Sequence, residues 1–487
     1  MKRMNIQNVR MGFNTSSSSQ HSAVININPA ISIGGERHLY GWDRFVLRTK
    51  EDKLHYFATM LYVNLCDRLP SEYASAVTNS LLGGNHISNS DPPGFDHRSL
   101  MTLPLSLRDK TWYANEGRNF VDEVNKEFFF DMVKYFVDND DISICGGSTD
   151  GIRPPYGEED GVFNVLTEYL ADAYGQITAR KDGDFWTLFN RKNGTKVRLS
   201  FTSKEEYTHS SLPESVDIKI TDFCPFECEN CYQDSNLSGK FAHPDSMVSI
   251  AHVLSEMKVM EVALGGGEPT LHPYLRDIID CFHRRDICVS ITTGTRDWAE
   301  SNETLARTIV DQASGIAFSV GNHGRETAWD FRRLGKWLSD KRFGGEYSAH
   351  LVLGMADTDT VIYDMKTIAQ VSSRITLLGW KPTGRAKGKV ARRVDLRKIF
   401  DKAYDLGCTV GMDSKAVEDY AQEIKEAGIP NILVVPGEGK FSLYIDAVKK
   451  VVAPDSYSPE ESYIPFGCNA NSRNYLEKVI KKNFPFT

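Results

Sequence analysis

Val216-Asp217-Ile218-Lys219-Ile220-Thr221-Asp222-Phe223-Cys224-Pro225-Phe226-Glu227-Cys228-Glu229-Asn230-Cys231-Tyr232 joins two signals that seldom stand side by side: a short β-rich run, then a loop holding three cysteines. The run at 216–220 has the length and branched side chains of a strand. Similar runs recur downstream at 259–264, 287–291, 316–320, 350–353 and 375–378. Between them lie stretches with apolar residues three and four apart, at 247–257, 275–282, 305–313, 329–338 and 361–371, which read as helices. Strands alternating with helices imply a parallel sheet with right-handed crossovers, closed or partly closed as a barrel. Further βα pairs are expected at 408–411 and 432–435, and the runs at 441–445 and 449–452 read as a hairpin. In such barrels the chemistry sits on the loops at the carboxyl ends of the strands. The cysteine loop is the first of those.

The rest of the chain sets limits on what that loop can serve. Lys+Arg 57 against Asp+Glu 65 leaves 57 − 65 = −8 over 487 residues, which excludes a polybasic nucleic-acid binder as a whole while allowing a local basic patch. With 41% hydrophobic and 25% charged residues the composition is that of a folded protein. No apolar run approaches the roughly 18–20 residues that span a bilayer, and the basic start lacks the apolar core of a secretory signal. A cytoplasmic protein with reduced thiols is therefore expected, which agrees with an odd count of nine cysteines. Four segments are expected: a flexible polar tail at 1–35, an α+β domain at 36–205, the barrel at 206–430, and a hairpin and helix extension at 431–487. Within the second, helices are read at 54–69 and 120–137, a long loop at 83–104, and a three-stranded antiparallel meander from 174 to 201.

Three of the nine cysteines fall at the spacing C-x3-C-x2-C in the loop after the first strand. Clustered thiolates are soft ligands, suited to zinc or to an iron–sulfur cluster. Structural zinc wants four closed ligands, and neither His209 nor His243 completes a zinc spacing. A [4Fe–4S] cluster held by Cys224, Cys228 and Cys231 keeps one iron open for another ligand. A second element, Leu264-Gly265-Gly266-Gly267-Glu268-Pro269-Thr270, closes the second strand. Its glycines allow a close backbone approach and its carboxylate can hold an ammonium group.

Together these elements resemble the signature of the radical S-adenosylmethionine superfamily, over about residues 210 to 400. The resemblance implies a [4Fe–4S] cluster on Cys224, Cys228 and Cys231, with S-adenosylmethionine on the fourth iron. It implies that Gly266, Gly267 and Glu268 line the methionine end of that cofactor. Thr293 and, after the fourth strand, Ser319 and Asn322 resemble family residues that contact ribose and carboxylate, and Met355 lies where the family packs a turn on the adenine. One departure is plain: the family's aromatic or histidine before the third cysteine is here Asn230, and Tyr232 follows instead. The resemblance further implies reductive cleavage to methionine and a 5′-deoxyadenosyl radical, hydrogen abstraction from a substrate, and an electron donor such as flavodoxin or ferredoxin.

On substrate, Gly379-Trp380-Lys381-Pro382-Thr383-Gly384-Arg385-Ala386 and the hairpin near 437–456 resemble parts of radical enzymes that modify peptides, so a peptide or protein is the expected substrate. The cysteine-rich extension of those maturases (the SPASM or twitch type) is degenerate here: only Cys408 and Cys468 are at hand, and Asp455 stands where a cysteine is expected. One cluster per chain is therefore expected. A nucleotide or nucleic acid is the alternative, motivated by the basic run of Lys381, Arg385, Lys387, Lys389, Arg392, Arg393, Arg397 and Lys398, whose plain reading is a solvated loop. A non-catalytic metal-binding module is the alternative of a different class, and the Gly-Gly-Glu element argues against it. No catalytic residue acting on the substrate is assigned.

Overall fold

The computed structural model describes residues 5–10, 39–40, 45–47, 49–66, 70–82, 87–88, 94–95, 131, 133–134, 137–138, 144–146, 177–200, 207–321, 327–427, 438–466 and 473–484. The expected loop at 83–104 and helix at 120–137 lie mostly outside them, as do, entirely, the strand at 432–435, Asn322 and Cys468. The chain divides into two compact units, the first Met1–Gln7, Ala23–Asn190 and Val197–Glu205, the second Asn8–Ser22, Arg191–Lys196 and Glu206–Thr487.

In the first unit, helices Lys50–Cys66 and Ser71–Leu82 pack on each other. The expected meander is present: Ile177–Asp182 and Phe185–Asn190 pair antiparallel around Gly183, whose φ of 58° is the left-handed conformation a tight hairpin needs. Lys196–Ser200 is the third strand, and the fourth in that sheet is Asn5–Arg10. The opening stretch, expected to be a featureless polar tail, therefore contributes a strand. Helix Ser71–Leu82 also went unread, because Ala, Ser and Thr leave it a weak apolar stripe.

The second unit carries a ten-stranded sheet. Its strands are β1 (Ser215–Thr221), β2 (Glu261–Gly266), β3 (Cys288–Thr293), β4 (Gly315–Val320), β5 (Glu346–Val352), β6 (Arg374–Leu378), β7 (Thr409–Met412), β8 (Ser442–Asp446), β9 (Val451–Ala453) and β10 (Ile464–Pro465). Their spatial order is β7-β6-β5-β4-β3-β2-β1-β8-β9-β10. The first seven are parallel neighbours. The fold class is thus α/β with a large parallel sheet. β8 and β9 form the expected hairpin, but β8 also lies parallel to β1, with Ser442 opposite Ser215. Eight parallel strands therefore follow the order of a barrel left open between β7 and β8, where no ladder forms among the described residues. Among the described residues no closed barrel is seen.

Helices α1 (Pro244–Glu256), α2 (Leu275–His283), α3 (Glu303–Gln312), α4 (Thr327–Asp340), α5 (Thr358–Ile368) and α6 (Leu396–Asp405) connect the strands. Four of them start on a side-chain cap: His243 before Pro244, then Asn302, Asp357 and Asp395, each accepting from a backbone N–H of the first turn. α2 buries Leu275, Ile278, Ile279 and Phe282, one stripe at helical spacing. The final helix, α7 (Arg473–Asn483), packs on α1. No described helix is long and apolar enough to cross a membrane.

The strands bury different chemistry on their two faces. Val216, Ile218, Ile220, Val289, Ile291, Ile316, Phe318, Leu351, Ile375 and Leu377 pack into the core shared with the helices. The alternate positions hold Lys219, Ser290, Ser348, His350 and Thr376, all buried. A sheet covered by packed core on both faces would be apolar on both. Here the second face is polar, and it opens at the carboxyl ends into the pocket described below. At the opposite end, Lys196 is fully buried, its Nζ 3.2 Å from Glu214 and 3.0 Å from Glu261 at the start of β1 and β2.

Candidate active site: a cysteine pocket at the strand ends

The cysteine loop leaves β1 and folds back on the segment at 234–241. Asp222 N–H donates to the Lys240 carbonyl, Cys224 N–H to that of Asn236, and Phe223 N–H to the Thr221 hydroxyl. Glu227 and Asp234 adopt positive φ, 46° and 54°, to make the bends. Next to it the glycine turn after β2 is stitched to the same loop: Gly267 N–H donates to Thr221 O at 2.7 Å and Glu268 N–H to Phe223 O at 2.8 Å. Gly266 has φ 123°, and a Cβ there would stand 2.3 Å from Thr221 O, while one on Gly267 would stand 2.1 Å from Phe223 O. These glycines let the two backbone loops touch.

One pocket collects the expected residues. Cys224, Cys228, Cys231, Gly266, Gly267, Glu268, Thr293, Ser319 and Met355 all line it. Burial raises the Cys224 thiol, and burial with the neighbouring Cys231 and Cys224 pushes the Cys228 thiol up to about 12, so these two thiols stay protonated when metal-free. The Arg385 charge opposes the rise at both. Among the described residues no three Cys, His, Asp or Glu side chains meet closely enough to hold a single metal ion.

Glu268 lines the pocket with its carboxylate bonded within the protein. It is buried, and its Oε1 accepts from Thr270 N, Thr270 Oγ1 and Thr293 Oγ1 at 3.1, 2.6 and 2.8 Å. Its Oε2 accepts from Gly294 N at 2.9 Å. Burial raises its pKa against the pull of those donors. The carboxylate thus ties the turns after β2 and β3 together through Thr270, Thr293 and Gly294.

Three other polar atoms in the pocket wall are buried without any partner: Ser235 Oγ, Thr292 Oγ1 and Trp380 Nε1. A buried polar group without a partner costs about 1–3 kcal/mol, so such atoms mark where a polar ligand belongs. Three thiols on one rim, partnerless donors and acceptors on the wall, and an open middle fit a thiolate-held cluster with a polar organic ligand beside it.

Sequence reasoning missed His350, Trp380 and Lys381 as pocket residues. His350 follows the polar alternation of β5 and is the register partner of Ser319. Burial, then the Lys381 charge, lowers its pKa to about 3, so the ring is neutral. Lys381, the first of the basic run, turns inward, its ammonium 3.7 Å from Asp413 and 4.9 and 5.0 Å above the Tyr232 and Tyr457 rings. In the rest of the run Arg385 and Lys389 bind the cysteine loop, Arg393 pairs with Glu423 and Lys398 with Asp395, and all but Arg385 are exposed, which fits the plain reading of a solvated loop. Asp455 caps the turn after β9, accepting from Tyr457 N and Ser458 Oγ. Cys408 sits half-buried beside β7.

No family model matches the chain. Over 120 residues it is 29% identical to an S-adenosylmethionine-dependent nucleotide dehydratase of Thermoplasmatales archaeon (strain ISO4-H5), a match covering 23% of this chain and 43% of that protein. The chain thus spans under half the length of that relative. Among solved structures, Streptococcus suis SuiB bound to S-adenosylmethionine aligns at 12% identity and TM-score 0.44, over 57% of this chain and 81% of that one. The same protein bound to precursor peptide SuiA aligns at 12% and 0.42, over 69% and 74%. These likenesses are too loose to carry an argument.

Proposed function

We propose that this chain is a radical S-adenosylmethionine enzyme. The observation that carries the reading is the gathering of three thiols, the glycine turn and three partnerless polar atoms in one pocket at the carboxyl ends of a parallel sheet. The match to an S-adenosylmethionine-dependent protein supports it. Cys224, Cys228 and Cys231 would hold three irons of a [4Fe–4S] cluster. When bound, that cluster supplies the electron that splits S-adenosylmethionine into methionine and a 5′-deoxyadenosyl radical. Ser235, Thr292, Ser319 and Trp380 are the polar side chains available to the organic cofactor, and Met355 offers it an apolar wall. Val352 and Leu378 line the inner wall, where apolar side chains exclude water from a reactive radical.

On substrate we place a nucleotide ahead of a peptide, reversing the order expected from the sequence. Support comes from the activity named for the 29% identical relative. A peptide is the second reading, supported by the β8–β9 hairpin, whose sequence resembles the hairpin of the peptide maturases. A flavodoxin or ferredoxin would deliver the electron.

The test is anaerobic reconstitution with iron and sulfide, followed by S-adenosylmethionine and dithionite. The expected result is a brown protein bleached by dithionite and releasing 5′-deoxyadenosine. Mass spectrometry of added nucleoside triphosphates and peptides then separates the two substrates. A colourless, zinc-loaded protein overturns the reading.

A further inference from the structure

The cysteine loop has no regular structure of its own. Its internal backbone bonds near the thiols are two, Cys231 N–H to Cys228 O at 3.2 Å and Asp234 N–H to Cys231 O at 3.3 Å. Its first residues are held by the segment at 234–241 and by the glycine turn, and from Cys228 onward the segment at 383–389 after β6 takes up the loop's carbonyls in succession. Thr383 Oγ1 donates to Tyr232 O at 3.0 Å. Arg385 N–H donates to Cys231 O at 2.9 Å, and its Nε to Cys228 O at 2.8 Å. Its Nη1 donates to Ser235 O and to Asp234 Oδ1, both at 2.9 Å. Lys389 Nζ donates to Glu229 O, Glu229 Oε1 and Asn230 Oδ1 at 2.8, 3.0 and 3.0 Å. Gly384 is what lets the two segments close: its φ is 54°, and a Cβ there would stand 2.5 Å from Tyr232 O and 2.6 Å from Cys231 O.

One donor is left over. Arg385 Nη2 is buried and has no hydrogen-bond partner. A guanidinium presents its donors in a fixed fork, so the bonds to Cys228, Ser235 and Asp234 fix where Nη2 points. A buried cationic N–H without a partner is costly, and its natural complement is a group carrying negative charge. Three thiolates and the sulfides of a cluster are such a group.

We propose that Arg385 is a positioning residue for the iron–sulfur centre: its fork and the strap around it hold the cysteine loop open for the cluster, and Nη2 donates to the cluster's sulfur ligands. The inference rests on the reading of these thiols as cluster ligands. Two effects are separable. The fork governs how much cluster the loop retains, and the positive charge favours the reduced, more negative cluster and so raises its midpoint potential.

The test uses the full chain reconstituted anaerobically, as wild type, Arg385→Gln and Arg385→Lys. It reads iron per chain, the electron paramagnetic resonance spectrum of the reduced state, and the midpoint potential. Arg385→Gln is expected to retain less than half the wild-type iron and to shift the remaining cluster to a more negative potential. Arg385→Lys keeps the charge without the fork, so it should restore the potential while retaining less iron than wild type. Gly384→Ala, which leaves Arg385 in place but pushes the strap off Cys231 and Tyr232, should lower iron retention at least twofold. If the wild type takes zinc and no cluster, the functional reading itself fails. If the wild type takes its cluster and all three variants match it in iron, spectrum and potential, the strap inference alone is overturned. Should Arg385→Gln prove insoluble, Arg385→Lys and Gly384→Ala carry the test by the same readouts.

Discussion

Replacing Glu268 with glutamine separates two roles for this side chain. As a cofactor ligand it would be free to lose its charge with little effect on the fold. As observed, its two oxygens take four donors from Thr270, Thr293 and Gly294. A glutamine oxygen in the Oε1 position can keep the first three, but its NH₂ then faces the Gly294 N–H, donor against donor. The loss is one charge-assisted hydrogen bond, about 1.5–3 kcal/mol, and a stranded buried donor, about 1–3 kcal/mol. Together these come to about 2.5–6 kcal/mol, a roughly 10²- to 10⁴-fold change in the equilibrium that closes the turns after β2 and β3. That is a large share of the roughly 5–15 kcal/mol that holds a folded domain together. Urea unfolding of the metal-free protein reads the global effect. Hydrogen exchange in peptides covering 266–295 reads the local one, with faster exchange expected at Gly294. A variant that unfolds within about 1 kcal/mol of wild type, with unchanged exchange and weakened S-adenosylmethionine binding, would refute this reasoning and restore the ammonium role.

Four further outcomes are expected. Alanine at Cys224, Cys228 or Cys231 should abolish both iron retention and 5′-deoxyadenosine release; reductive cleavage by the triple variant would remove the site assignment. Iron and sulfide should each reach about four per chain, and serine at Cys408 and Cys468 together should leave that count alone; about eight irons falling to four would point to a second cluster. The His350 pKa lies near 3 in the folded chain, below the ordinary histidine value of 6.5. Its contribution to stability is thus complete above pH 6.5 and lost as the pH falls from there through 3. His350→Gln should flatten that acid limb, and an unchanged pH–stability profile would show the ring is not held neutral. Lys196→Met leaves Glu214 and Glu261 buried without their cation, a loss of about 3–5 kcal/mol; a urea midpoint equal to wild type would contradict it.

The parts read correctly from sequence share one property, that their signal is local. β1 to β7 were each legible from four to six residues, and α2 from the stripe Leu275, Ile278, Ile279 and Phe282. The C-x3-C-x2-C spacing and the glycine turn were legible because their residues are close along the chain. The misreadings share the opposite property. Asn5–Arg10 lacks any apolar alternation of its own, and its place is in a sheet with strands some two hundred residues later. Lys381 was counted with an exposed basic run, yet it turns inward onto Asp413, because charge counting has no direction.

Sequence alone therefore determined that strands and helices alternate from β1 onward and that three thiols follow the first strand. Tertiary structure decided what each of those residues faces. β8 was legible as a hairpin strand, but its parallel ladder to β1 joins Ser442 to Ser215 across more than two hundred residues. Arg385 finds Cys228 at a separation of 157 residues, and Glu268 finds Gly294 rather than open space. The reason is physical: periodicity and turn chemistry act over a few residues of backbone, whereas partners of buried charges are chosen by how the strands pack.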